Sequence, residues 1–282
     1  VSIKTGYGSA TSSGGFSVRT VDAGAAGVSG DMSLTTGKSS AGDSGSISFS
    51  SGQGVGGKAG SISLSVGSGD TGVGGAVVIS AGETTASASG GDITLRTGFS
   101  TQTSSGSFTM ETADAGASGV SGEISFETGQ STSGDSGSIT WASGQARGGK
   151  AGFVSLAVGS GDHGSGGRIT IAAGETTAPS SGGSVSMRTG FSTQTSSGSF
   201  SIDSADAGAS GVSGDISFTS GKATAGDSGS ISWSTGASTN GKAGAMSFVV
   251  GTGDAGDGGE VNVRAGDTMD TESTGGNVIL SA

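Results

Sequence analysis

Apolar residues in this chain come in pairs with one position between them. The series opens with Val1/Ile3, Phe16/Val18, Met32/Leu34, Ile47/Phe49, Ile62/Leu64 and Val77/Ile79, and it continues through Ile93/Leu95 and Val185/Met187 to Val278/Leu280. Successive pairs start 15 or 16 residues apart, with a single interval of 17 before Val278. Alternation with a period of two predicts a short strand at each pair, with two side chains on one face and the residue between them on the other. No segment carries the i, i+3, i+4 spacing of an amphipathic helix, so the pattern predicts an all-β chain.

Glycine divides the intervals. From the second pair onward the residue two before the first apolar one is Gly: Gly14, Gly30, Gly45, Gly60 and so on to Gly276. Three residues after the pair Gly returns, as at Gly6, Gly37 and Gly52, with Val21, Ala113 and Ala205 as exceptions. Glycine enters left-handed backbone without steric cost, so these positions are expected to be corners. Two corners per interval predict one coil of a flattened parallel β-solenoid, at 15–16 residues per coil and roughly 19 coils. The return path is built of small residues, so each coil is expected to bury its apolar pair plus a residue such as Thr97, Val66 or Ala81. At one rung per coil the expected rod is about 90 Å long. A coil of 31 residues is the rival geometry. Charge favours the shorter one, because Asp43/Lys58, Asp135/Lys150, Asp227/Lys242, Arg96/Glu111 and Arg188/Asp203 would then be neighbours on successive rungs. Glu111 and Glu127 would be neighbouring like charges, which counts the other way.

A longer period overlies the short one. The string "TGFSTQTSSGSF" occupies Thr97–Phe108 and recurs letter for letter at Thr189–Phe200, 92 residues later. "TGYGSATSSGGF" at Thr5–Phe16 is a looser copy. The chain thus reads as one continuous solenoid over 1–282, with six-coil super-repeats at 1–92, 93–184 and 185–277 and the start of a fourth at 278–282. Aromatic residues follow the blocks, with Phe16, Phe108 and Phe200 equivalent, and Phe49, Trp141 and Trp233 likewise. Both ends stop within the pattern. The expectation is an excerpt from a longer array, or ends covered by neighbouring subunits.

Composition narrows the class. Of 282 residues 62 are Gly, one is Pro and none is Cys, and 12% are charged. Collagen requires Gly at every third position, which "SISFSSG" excludes. A disordered linker would lack the regular Ile, Phe, Leu and Trp. Without Cys there are no disulfides, thiolate metal sites or thiol nucleophiles. The net charge of −11 is spread thinly, so no basic stripe invites nucleic acid. No apolar run approaches the roughly 20 residues of a membrane span.

Candidate chemistry is sparse. His163 is the single His, in "GDHGSGG", where equivalent units hold Thr71 and Ala255; a general base would not be so replaceable, and an exposed turn is expected. With one Tyr and no Cys besides, most catalytic constellations cannot be assembled, and no enzyme, cofactor or metal site is expected. The turns around Asp70, Asp162, Asp254 and Asp257 are similar to calcium-binding Gly/Asp repeats. Calcium wants six to eight oxygens from several converging carboxylates, and here each turn offers one or two, so calcium stands as a third reading. "GSGGSV" imitates a phosphate-loop fragment without the helix that must follow. The residue between the two apolar ones is Ser or Thr in 16 of 19 pairs, including Ser48, Ser63, Thr94, Thr109, Ser125, Thr140, Ser155 and Thr170. Stacked rungs would make these a hydroxyl ladder, which resembles the face of ice-binding solenoids. The second outward column, Lys4, Arg19, Thr35, Ser50 and later Glu111 and Glu127, departs from the two regular Thr columns of such faces. A soluble outer surface of Ser/Thr pairs is the plainer expectation.

Over its whole length the chain resembles the parallel β-solenoid repeats of large extracellular surface proteins and adhesin stalks, through its Gly corners and paired apolar rungs. The resemblance implies an extracellular or cell-surface role as a stalk, fibre or adhesive element. Its implied partners are itself or adjoining repeats end to end, or a surface or polysaccharide.

Overall fold

A computed structural model of the chain describes residues 1–281. The described residues contain no helix and no β-strand. The all-β expectation, the parallel β-solenoid (or parallel β-helix) and its stacked coils are therefore corrected. The physical reason lies in the backbone. A strand exists only where its N–H and C=O groups pair with a neighbouring segment. Eight hydrogen bonds join backbone to backbone among the described residues, and none runs as a ladder between successive apolar pairs. The rung spacing behind a rod near 90 Å has no counterpart. The charged residues expected one rung apart, Asp43/Lys58 and Arg96/Glu111, or Asp227/Lys242 and Arg188/Asp203, form no ion pairs among the described residues either; the contacts present are local, the hydrogen bond of His163 with Asp162 and the ion pair of Arg264 with Asp267.

The chain instead forms a succession of loops, in two units, Val1–Trp141 and Ala142–Ala282. Six of the eight backbone bonds close a loop mouth between the Gly after one apolar pair and the Gly before the next. Gly14 N–H donates to the Gly6 carbonyl (3.1 Å). Gly91 donates to Gly82, Gly106 to Gly98, Gly183 to Gly174, Gly198 to Gly190 and Gly276 to Gly266, each at 2.9 Å.

Beside each mouth the small residue two positions after a pair lies against the Gly two positions before the next. Thr5 meets Gly14 and Thr97 meets Gly106, where a Cβ on the glycine would lie 3.5 Å from the threonine Cβ. Where the small residue is Val the approach is tighter. A Cβ on Gly75, Gly167 or Gly259 would come 2.7, 2.5 or 2.8 Å from a methyl of Val66, Val158 or Val250. Where it is Ala, backbone itself closes in, and a Cβ on Gly183 would sit 3.1 Å from the Gly174 nitrogen. Five of these small residues, Ala81, Thr97, Ala173, Thr189 and Ala265, are among the few half-buried positions; no apolar residue is buried among the described residues.

The roles assigned to glycine from sequence are thereby corrected. Neither the Gly before a pair nor the Gly after it has a positive φ; the former is needed for close approach. Left-handed backbone occurs inside the loops, at Gly56 and Gly148, at Gly72, Gly164 and Gly256, and at Gly119 and Gly211, with Gly42 and Gly226 besides. Most of these fall at 92-residue intervals, so the long period is a period of turn geometry.

Substituting Gly183→Ala sets a methyl against the Gly174 backbone and should cost about 1–2 kcal/mol locally. The expected result is roughly tenfold faster hydrogen exchange at the residue 183 amide. Gly174→Ala, with open space around its Cα, should leave that amide unchanged.

Candidate functional site

Between Phe108 and Trp141, and at Phe218 and Trp233, apolar side chains of successive pairs gather together. In the first unit Phe108, Met110, Ile124, Phe126 and Trp141 line an open cleft of about 410 Å³. Phe108 and Met110 both face it, as do Ile124 and Phe126, so the period-two alternation is present without a sheet. Phe126 and Trp141 meet edge to face with ring centroids 5.5 Å apart. In the second unit Phe218 and Trp233 repeat the arrangement at 5.2 Å and 88°. Edge-to-face packing sets the positive ring edge against the negative face and adds about 0.5–1.5 kcal/mol beyond burial.

These side chains are covered along their flanks and open above. Ile124 is 43% exposed and Trp141 67%, whereas the lone loop residues Val73 and Val120 stand 98% and 95% exposed. Contact with adjacent pairs accounts for the difference. The result is a single apolar layer.

The hydroxyl residues Ser48, Ser63, Thr94, Thr109, Ser125, Thr140, Ser155 and Thr170 are all exposed. Among the described residues no hydrogen bond joins one of these hydroxyls to the next. Ser125 Oγ instead donates to Glu127 Oε1 at 3.5 Å, and Ser201 Oγ reaches both Asp203 carboxylate oxygens at 2.9 and 3.0 Å. No ladder of backbone bonds sets their interval.

Other hydroxyls do structural work that sequence reasoning passed over. Ser100 Oγ accepts from Gln102 N–H (3.2 Å) and Thr103 N–H (2.9 Å) and bonds the Thr103 hydroxyl at 3.1 Å. Ser192 does the same for Gln194 and Thr195. The repeated "TGFSTQTSSGSF" is thus a turn folded around its own serine, a local device Ser and Thr favour over regular structure. Thr84, Thr176 and Thr268 each accept from the amide two residues on, at 3.2, 3.2 and 3.1 Å. A serine two or three residues before a turn amide was the available signal.

The acidic turns hold little else. Asp162 Oδ1 lies 3.0 Å from His163 Nδ1, with both side chains over 90% exposed. Asp270 accepts from the Ser273 hydroxyl and the Glu272 amide, and those bonds, the hydroxyl first, hold its carboxyl below the usual range. A depressed pKa means these bonds favour the turn above the ordinary carboxylate range, and that contribution is lost as pH falls through the lowered value. No group of three or more His, Asp or Glu side chains is placed to hold a metal ion among the described residues.

Comparison with protein-family models, with curated proteins and with solved structures finds no match for the chain.

Replacing Ser100 by Ala should free the Gln102 and Thr103 amides, at a cost of about 0.5–1.5 kcal/mol. Faster exchange is expected there, with Gln194 and Thr195 unchanged as the internal reference.

Proposed function

We propose that the chain is a structural repeat element of an extracellular or cell surface, a stalk, fibre or adhesive coat that works by repeated display. The observation that carries this reading is the 92-residue recurrence of turn geometry. Ser100 and Ser192 fold identical loops, and Thr84, Thr176 and Thr268 fold equivalent ones. What recurs is therefore a loop shape together with an apolar pair, and the carboxylates that recur with them, Asp43, Asp135 and Asp227 among them, form no metal-holding cluster among the described residues. Repetition of shape suits a protein whose action is spread along its length. Exposed apolar side chains at every interval suit adhesion, since burying them against a surface is favourable by roughly 25 cal/mol per Å². Because the described residues form no sheet, display and adhesion support the reading in place of stiffness.

The full chain should adsorb to an alkyl-coated quartz-crystal sensor and resist rinsing with buffer. In a nanolitre freezing assay it should show no thermal hysteresis, and its far-UV circular dichroism should not change with calcium. Shaped ice crystals would make the Ser/Thr residues an ice-binding face and overturn the structural reading. A calcium-induced transition would assign the acidic turns to the metal instead.

A further inference from the structure

The 26.2 kDa chain has an accessible surface of 27948 Å². A compact monomer of this mass would expose about 10,600 Å², and a fully extended chain about 38,000 Å². The accessible surface is thus roughly 17,000 Å² more than a compact fold would show. That excess is about ten times the roughly 1,600 Å² buried in total by a standard protein interface. The apolar layer is one part of it, with Phe108, Met110, Ile124, Phe126 and Trp141 in the first unit and Phe218 and Trp233 in the second. One layer of apolar side chains needs a second to close over it.

The intervals between pairs indicate what the second layer is. They run 15, 16, 15, 15, 15, 16 and then repeat in the same order through the next block. A partner that stays in step across many pairs must carry the same uneven sequence of intervals. A second copy of this chain carries it by construction. Of the alignments that keep step, the two with the greatest overlap are one in register and one displaced by a whole block of 92 residues; both place aromatic units Phe49, Trp141 and Trp233 against equivalent units.

We propose that the apolar layer is the contact surface for a second copy of this chain, the two layers packing face to face in register or displaced by one 92-residue block. This association is lateral, and it draws on the same apolar side chains as the adhesive role without depending on that role. Chains that pair in solution without adhering to a surface would leave it intact. With a block displacement each chain overhangs its partner, and the overhang is free to take up a further copy.

Sedimentation velocity on the full chain over a wide concentration range tests the proposal. The expected result is concentration-dependent association, weakened at least tenfold in Phe126→Ser/Trp141→Ser, as hot-spot aromatics would dictate. Val73→Ser/Val120→Ser, which alters exposed loop residues outside the layer, should associate like the wild type. The Ser100-centred turn, read by exchange at Gln102 and Thr103, reports whether the layer variant keeps its local fold. A chain that stays monomeric at every concentration overturns the proposal. So does association untouched by the layer variant but abolished by the loop variant. A chain that is monomeric alone but retained on a polysaccharide matrix through Phe126 and Trp141 assigns the layer to another occupant, and equally overturns it.

Discussion

Everything else in this chain depends on one close approach, that of a small side chain to the glycine opening the next apolar pair. Thr97 against Gly106, Val158 against Gly167 and Ala173 against Gly183 are versions of the same contact. Where the small residue is Thr97 or Ala173 the flanking carbonyl and amide also meet, at Gly98 and Gly106 and at Gly174 and Gly183. A loop closed in this way returns the chain to the place it left, and the next apolar pair emerges beside the last. A larger residue at either position would hold the mouth open and part the pairs.

From that constraint the apolar layer follows. Phe126 reaches Trp141 across the loop where Thr128 lies against Gly137, and Phe218 reaches Trp233 across the loop where Ser220 lies against Gly229. Each pair gains flanking cover from its neighbours and none from above, because the loops consist of Gly, Ser and Thr and bring few large side chains back over the layer. Hydrophobic burial within the chain is therefore partial, and local turn bonds hold the loops. The arrangement leaves apolar surface to be covered from outside, which is unusual for a chain that works alone.

Much of this organisation is legible in the sequence, though not the fold. The interval of 15 or 16 residues, the 92-residue block, the sidedness of each apolar pair and the small residues Thr97, Val66 and Ala81 beside it are visible in the letters. The step from alternation to sheet is where the inference fails. Alternation states which side a residue faces, whereas a sheet also needs partners for its backbone, and those are not encoded in the side chains of a single segment. Glycine misleads for a related reason. Gly14 and Gly56 are the same letter, one placed for close approach and the other for left-handed backbone at φ 73. The serine-centred turns at Ser100 and Ser192 were readable in principle, but Ser and Thr are so abundant here that no single one stands out.

Trp141 and Trp233, the only tryptophans, both lie in the apolar layer, one in each unit. Their fluorescence therefore reports directly on whether a lone chain leaves this layer open. In dilute samples shown to be monomeric, emission should be that of water-exposed indole and readily quenched by acrylamide, shifting to shorter wavelength and resisting quencher as concentration rises. Blue-shifted, quencher-resistant emission from a verified monomer would show that the chain closes over its own apolar face, and would contradict the open layer.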